Sequence, residues 1–410
     1  MQVNSSNGTN KYSIKTNNKI NVYFFLSTSL LNGRGFERTT ISFAKHMDLE
    51  RFNVTIIHSN SIFFKRIEQS ELDALPKGIN IVQFNGKLNN LRKINWIIRK
   101  IFPLGKLIEM CISAPIIFHL TSKKLLKSEL EKIEENDIVY LVDPVDLSLF
   151  SGTKAKLVGS NQGLFENPDA LYTRLIVHLV GAGILLKKIN YFHLFPMNEY
   201  LNELWPNKIC EIIPLGTETN LFRDKSECNG NEVRFLFIGA LEKFKGILDA
   251  ISAFTMIDKT YQLEFHIGGG GSLGDYVEEM SKKDRRIVYH GIVSEEEKIN
   301  LYQTCDVFVY PSLGETFGIV VTEALASGLF VILGNRLSGN FREPFEMGYL
   351  SYCSYESLSI KKELLNAVKN IEKIRSMRQE IKTFAAKLYD WSPITEKLMQ
   401  FFEEIANFEN

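Results

Sequence analysis

Short runs of apolar residues alternate along this chain with stretches of helical periodicity. The first half has such runs at 20–27, 53–58, 79–84, 137–142, 155–160, 191–195 and 210–214. The second half has them at 233–238, 263–267, 287–289, 307–310 and 330–333. Because buried parallel strands are apolar on both faces and are joined through helices, this alternation predicts parallel sheets covered on both faces.

The length and composition of the chain indicate two domains. With 410 residues and 45% hydrophobic content, the chain exceeds one typical domain and can bury two cores. Residues 1–18 are polar and lack the apolar core of a signal peptide, so we expect a mobile tail. We further predict a first domain over 19–212, a second over 213–390, and a closing segment over 391–410 that packs back on the first domain.

Charge and cysteine content narrow the classes of function. Lysine plus arginine and aspartate plus glutamate both number 48, so no global field favours a nucleic-acid partner. The five cysteines are odd in number and scattered, and the seven histidines show no metal-ligand spacing. This pattern predicts reduced thiols in a cytoplasmic protein, without a disulfide framework or a metal site.

The stretch 310–328 carries the clearest chemical signal. An apolar run stops at Pro311, a loop with Gly314 and Gly318 follows, and an apolar helical pattern comes next. The first turn of a helix has unpaired N–H groups and partial positive charge, so an anion can bind there. Glu315 and Glu323 are at most about 12 Å apart on a helical path, so one ligand with a phosphate and a polyol can contact both. Alternatively, the two acids are solvated side chains of an ordinary strand–turn–helix unit.

The residue types around these two acids extend the signal. This stretch contains Pro311-Ser312, Phe317-Gly318, Glu315 eight positions before Glu323, and Glu323-Ala-Leu-Ala-Ser-Gly328. Together these motifs resemble the signature of retaining GT-B glycosyltransferases of family 4. The resemblance covers about 20–405 and implies an α/β fold of the GT-B class, with two doubly wound Rossmann-like domains facing a cleft. It also implies a hexosyltransferase of glycan biosynthesis that moves a sugar from a UDP-, GDP- or ADP-sugar to a hydroxyl acceptor. The acceptor would be a sugar or a lipid-linked glycan, configuration would be retained, and no cofactor or metal would be required.

The resemblance assigns roles to individual residues. Glu315 and Lys245 would be the catalytic groups, with Lys245 and the amides after Glu315 stabilising the departing diphosphate. Glu323 would hold the ribose. The donor-binding set is Glu323, Thr316, Phe317, Gly318, Ile319, Lys243, Gly239, Gly33, Gly35, Gly269, Gly291 and Ile292.

Several of these assignments concern glycine turns with a second interpretation. Gly33 and Gly35 match the family's N-terminal glycine loop beside the donor phosphates, although an ordinary turn fits the same two glycines. The four glycines at 268–271 permit close approach to a ligand or to another strand, or form a plain flexible loop. Near Gly291 and Ile292, which would meet the base, we expect His290 to be a packed histidine.

Two departures from the family pattern affect the phosphate and acceptor sites. Ala240 stands where the family has an arginine, and losing one charged hydrogen bond costs about 1.5–3 kcal/mol of donor binding unless another cation replaces it. Lys243 is the nearest candidate. A family histidine is replaced by Asn161-Gln162, either of which could bond a sugar hydroxyl, although Asn161 also suits a turn before Gly163.

The segment 91–109 has basic residues interleaved with apolar ones, including Trp96 and Phe102. This composition suits peripheral contact with an anionic membrane, and equally a surface helix whose apolar side packs on the sheet. The apolar run 175–186 is shorter than the about 20 residues that span a bilayer, so we expect no transmembrane segment.

Two rival functions remain open at this point. A sugar-nucleotide epimerase would use the same fold on the free nucleotide sugar. A non-catalytic partner subunit that binds a glycan or lipid would be consistent with Ala240 and the missing histidine.

Overall fold

The computed structural model describes residues 19–26, 35–59, 74–84, 126–142, 150, 152–160, 189–196, 207–222, 232–315 and 317–408, without the side chains of 35–37, 59 and 84. The predicted tail 1–18, the segments 91–109 and 175–186, and the residues Gly33, Asn161, Gln162 and Thr316 lie outside this part of the chain.

The first half of the chain forms a seven-stranded sheet. Its strands are β1 (Ile20–Leu26), β2 (Phe52–Ser59), β3 (Asn80–Phe84), β4 (Ile138–Leu141), β5 (Lys156–Ser160), β6 (Tyr191–Leu194) and β7 (Ile209–Ile212). The spatial order is β3-β2-β1-β4-β5-β6-β7, and each neighbouring pair is parallel. Strands β4, β5 and β6 are buried along their whole length, although β5 contains Lys156 and Ser160 and β6 contains His193.

The second half forms a six-stranded parallel sheet. Its strands are β8 (Val233–Ile238), β9 (Leu263–Gly268), β10 (Ile287–Gly291), β11 (Val307–Tyr310), β12 (Phe330–Gly334) and β13 (Leu350–Cys353), in the order β10-β9-β8-β11-β12-β13. The parallel sheets predicted from the apolar runs are confirmed. Strand β13 was missed, because it lies at the sheet edge and its central Ser351 and Tyr352 are only half-buried.

Helices connect the strands in both halves. Among the described residues they are α1 (Gly35–His46), α2 (Lys127–Leu130), α3 (Ile247–Thr255), α4 (Gly274–Lys283), α5 (Glu295–Thr304), α6 (Ile319–Ala326), α7 (Arg342–Glu346), α8 (Ser357–Lys369), α9 (Ile371–Ser376), α10 (Arg378–Tyr389) and α11 (Trp391–Asn407). Three 3-10 turns cover Thr219–Phe222, Lys243–Lys245 and Asn335–Phe341. The turn after β8 is therefore a 3-10 segment, and its α-helix begins only at Ile247.

Helix α11, the last in the chain, packs against the first sheet although it follows the second domain. Arg51 donates to Glu403 at 2.9 Å and to Glu396 at 2.9 Å. The Lys156 ammonium donates to the carbonyls of Ile405 and Phe408 at 2.8 and 2.7 Å. Since the last carbonyls of a helix have no intrahelical partner, Lys156 both caps α11 and fixes it to β5.

The chain crosses from the first domain to the second after β7 and returns to the first between α10 and α11. These two crossings lie side by side. The Thr217 amide donates to the Tyr389 carbonyl at 2.7 Å, and Thr219 donates to Asp390 at 2.5 Å. A Cβ added at Gly216 would lie 2.9 Å from the Trp391 ring, so only glycine fits this close approach. These contacts join the two domains on one side of the cleft.

Candidate functional site

A cavity of about 450 Å³ lies between the two domains. Arg38, Thr39 and Phe195 line it from the first domain, and the loops after β8 and β11 line it from the second. Strands β8 and β11 are neighbours in the sheet. The strands that follow β8 in the chain lie on one side of this pair, and those that follow β11 lie on the other. This switch point is where open parallel sheets bind ligands, and the volume falls within the range of about 300–1,000 Å³ that is usual for ligand pockets.

The glycine turn after β9 brings two backbone segments unusually close together beside the cavity. Gly269 has φ +140°, and a Cβ there would lie 1.9 Å from the Gly239 carbonyl oxygen. Of the interpretations open from the sequence, close approach to another backbone segment is the one the structure shows. Gly239 and Gly269 also line the cavity, so backbone rather than side chain forms this part of its wall.

Glu315 is held by two donors inside the second domain. The Tyr310 hydroxyl donates to its Oε2 at 2.7 Å, and the Lys245 ammonium forms an ion pair with the same oxygen. Lys245 also donates to the Gly314 carbonyl at 3.1 Å. Burial, and then the Glu315 charge, raise the pKa of Tyr310 well above its usual value, so the phenol stays a hydrogen-bond donor at neutral pH.

Glu323, on α6, has a matching pair of donors, and both lie on α5. Lys298 donates to its Oε1 at 2.8 Å and Tyr302 to its Oε2 at 3.1 Å. The side chains of Lys298 and Glu323 are each only 12% exposed, so Glu323 is not a solvated acid. Burial lowers the pKa of Lys298, but Glu323 and Glu295 raise it more strongly, and the net shift is upward.

An ion pair crosses the cavity from the second domain to the first. Glu295, at the start of α5, accepts from Lys298 at 2.8 Å and faces the Arg38 guanidinium of α1 at 3.5 Å. Burial raises the pKa of Glu295. The charges of Lys298 and Arg38 together lower this pKa by more, so the net shift is downward. The start of α5 is fixed by a capping box, in which Ser294 and Glu297 exchange hydrogen bonds.

Helix α6 points its first turn at the cavity. Gly318 caps it with φ +94°, in the left-handed region that glycine favours, and Gly318, Ile319 and Val320 line the cavity. The preceding Phe317 is buried and packs on Phe195 of the first domain at a ring distance of 5.6 Å. The Val321 amide donates to the Gly318 carbonyl at 2.8 Å, so the amides of Ile319 and Val320 are the ones that this helix start can offer to an anion.

The structure brings most of the predicted catalytic and donor-binding residues to this cavity. Those that line it are Glu315, Glu323, Phe317, Gly318, Ile319, Gly239, Gly269 and Ile292. Lys245 does not line the cavity but forms an ion pair with Glu315, which does. Gly291 lies next to the lining, because its carbonyl accepts from the Gly269 amide at 2.7 Å. Lys243 is exposed and is not among the lining residues, and Gly35 is the first residue of α1.

The sequence alone did not single out Arg38, Glu295, Lys298, Tyr302 or Tyr310 as parts of the site. Arg38 closes the glycine loop motif and Tyr310 ends an apolar run, so both had local signals that could have found them. Glu295, Lys298 and Tyr302 had no such signal, because the Arg38 and Glu323 side chains that they meet lie on other elements. The expectation of a packed His290 was wrong, since His290 on edge strand β10 is exposed and stacks on His266 at 5.3 Å.

The described part of the chain contains neither a metal-ligand cluster nor a membrane-spanning helix. No cluster of three or more His, Cys, Asp or Glu side chains there could hold a metal ion. None of the helices described is both long enough and apolar enough to cross a bilayer.

Comparison with known sequences finds a family match in the second half of the chain. Residues 218–388 match the profile of the family described as Glycosyl transferases group 1. Alpha-galactosylglucosyldiacylglycerol synthase of Streptococcus pneumoniae is 28% identical over 242 residues, which cover 54% of this chain and 60% of that protein. The first two curated relatives are matched over only 36% and 60% of their own length.

Comparison with solved structures establishes the fold. Sucrose-phosphate synthase of Thermosynechococcus elongatus matches with a TM-score of 0.72 at 15% identity, covering 94% of this chain and 99% of that one. HepE of Anabaena, in complex with UDP and glucose, matches with a TM-score of 0.65 at 16% identity, covering 93% and 99%. The predicted fold class, two Rossmann-like domains of the GT-B type, is confirmed.

Proposed function

We propose that this chain, whose residues 218–388 belong to the glycosyl transferases group 1 family, transfers a sugar from a nucleoside-diphosphate sugar to a hydroxyl acceptor. One observation carries the proposal. Glu315 and Glu323, each held by a lysine and a tyrosine, belong to one cavity at the switch point, beside the start of α6. Ionised acids accept strongly from sugar hydroxyls, and helix amides bind phosphate.

The donor would bind with its parts distributed along this wall. The amides at the start of α6 would take the diphosphate, Glu323 the ribose hydroxyls, and Glu315 the hydroxyls of the transferred sugar. The backbone near Gly269 and Ile292 would face the base. The UDP in the HepE structure favours UDP-sugars as the first donors to test, ahead of GDP- and ADP-sugars.

Transfer would proceed with retention of configuration. The acceptor hydroxyl attacks the anomeric carbon on the face from which the diphosphate leaves, while the bond to the diphosphate breaks and its electrons stay on the phosphate oxygen. That oxygen takes the proton of the acceptor hydroxyl. Glu315 is engaged by Lys245 and Tyr310, so its role is to orient the sugar, and Lys245 with the α6 amides stabilises the charge of the leaving group.

The acceptor belongs to the same proposal. The Streptococcus pneumoniae relative is named for a glycosylated diacylglycerol, which favours a lipid-linked acceptor over a soluble sugar. A protein that acts on such an acceptor meets it at a membrane surface. Peripheral contact through the basic and apolar segment 91–109 remains our prediction, with the cytoplasmic face of a membrane as the expected location.

A donor screen followed by product analysis tests this function. Thermal shift with UDP-, GDP- and ADP-sugars should select one donor, and incubation with lipid-linked and soluble acceptors should give a product of unchanged anomeric configuration by NMR. Glu315→Gln should lower turnover by at least about 100-fold. The control Glu279→Gln, on exposed α4 and outside the cavity lining, should leave turnover unchanged.

Two results would contradict transfer in different ways. Epimerised free nucleotide sugar without acceptor would identify an epimerase. Donor binding without any product from the full acceptor set would favour a non-catalytic subunit.

A further inference from the structure

Two cations line the cavity in the described part of the chain, Arg38 and Lys298, and they differ in how firmly they are held. Lys298 is 12% exposed and donates to both Glu323 and Glu295 at 2.8 Å. Arg38 is 49% exposed and faces Glu295, itself well exposed, at 3.5 Å. A long ion pair between exposed groups contributes little free energy, so an anion in the cavity can compete for the Arg38 guanidinium.

In our proposal the second domain supplies the diphosphate with one cation, Lys245, and a carboxylate shares that cation. Ala240 lines the cavity without a charge, and Lys243 of the same turn is exposed and outside the lining. Lys245 is paired with Glu315. Arg38 faces the same cavity from the first domain, and a guanidinium can bond two phosphate oxygens at once.

We propose that Arg38 binds the diphosphate of the nucleotide donor, and that Glu295 holds its guanidinium when no donor is bound. This inference rests on the proposed function and assigns that site a ligand-binding residue from the opposite domain. Donor binding would exchange a carboxylate for a diphosphate on Arg38. A donor seated on the second domain would thereby draw the first domain towards it.

The chain offers a matched control on the same helix. Lys45 of α1 pairs with Glu218 at 2.8 Å, and the lysine is 41% exposed. This pair also joins α1 to a residue after the domain linker, but neither member is among the residues lining the cavity. Removing Lys45 therefore removes an ion pair of the same kind without touching the proposed ligand.

Calorimetric titration with UDP, UMP and uridine separates the possible roles of Arg38. If the donor screen selects another base, the corresponding guanosine or adenosine series replaces it. Arg38→Ala should weaken UDP binding by about tenfold or more and leave uridine binding within about twofold. Glu295→Gln removes the competing carboxylate and should tighten UDP binding by about two- to fivefold, whereas Lys45→Ala should change neither ligand.

The direction of the two changes decides the outcome. If Arg38→Ala and Glu295→Gln weaken UDP and uridine alike, the pair only holds the domains together, and the inference is overturned. It is also overturned if Arg38→Ala binds UDP as tightly as the unchanged protein. A failure of the unchanged protein to bind any nucleoside diphosphate would instead remove the proposed function, and this inference with it.

Discussion

Two carboxylates in the cavity, Glu315 and Glu323, have the same kinds of partner but different connections. Each accepts from one lysine and one buried tyrosine, Lys245 and Tyr310 for Glu315, Lys298 and Tyr302 for Glu323. The second bond of Lys245 goes to the carbonyl of Gly314, within the loop that carries Glu315. The second bond of Lys298 goes to Glu295, which faces Arg38 of the other domain.

This difference separates a local arrangement from one that extends across the cleft. The position of Glu315 depends on its own strand, its own loop and the neighbouring 3-10 turn that carries Lys245. The charge around Glu323 depends on whether Arg38 is near Glu295, and so on how the domains are placed. We therefore expect changes at the Glu315 group to affect the chemical step, and changes at the Glu323 group to affect stability and donor binding.

The largest effect should come from removing the lysine of the Glu315 group. Lys245→Met deletes the cation that we propose to lie beside the leaving diphosphate, and kcat should fall by about 10²–10³-fold. Initial rates at saturating donor measure this change, with the melting temperature of the variant as a check on folding. A fall in kcat of the same size in Lys298→Met would erase the proposed distinction between the two groups.

Lys298→Met should mainly reduce stability. It leaves Glu323, only 12% exposed, without its cation, and breaking such a buried pair lowers the free energy of unfolding by about 3 kcal/mol. Urea denaturation at pH 7 measures the change. Lys282→Met is the control, because Lys282 pairs with Glu278 at 2.7 Å on an exposed helix face and should cost less than about 1 kcal/mol.

The same lysine gives a pH dependence with a definite sign. The folded pKa of Lys298 lies above its ordinary value of 10.5, so its contribution is complete below that pH. As the pH rises from 10.5 through the folded pKa, this contribution is lost. The Lys298→Met variant should lack that alkaline loss, and an unchanged alkaline profile would show that Lys298 does not cause it.

The smallest effects should come from the two tyrosines. Tyr310→Phe and Tyr302→Phe each delete one hydrogen bond to a charged group and should lower the free energy of unfolding by about 1–2 kcal/mol. Tyr310→Phe should also lower kcat, and Tyr302→Phe should raise KM for the donor. Tyr349→Phe is matched, since Tyr349 donates to Glu380 at 2.9 Å outside the cavity, and it should change stability alone.

The strands and the turn chemistry were largely predictable from local sequence. The run 233–238 coincides with β8, and Ser294 and Glu297 have the sequence spacing of the capping box that starts α5, because both features depend on neighbours in the chain. Strand β13 was not predictable in the same way, since an edge strand needs no continuous apolar run. His290 was misjudged for a related reason, because nothing local shows that β10 lies at an edge.

The sequence by itself determined the two sets of buried strands and the two acids of the central motif, eight positions apart. It could not show which cation neutralises which acid. Lys245 lies 70 positions from Glu315, and Arg38 meets Glu295 from the other domain. Only the folded chain decides such pairings, because a charge acts through space on whatever the packing of helices and sheets brings within a few ångströms of it.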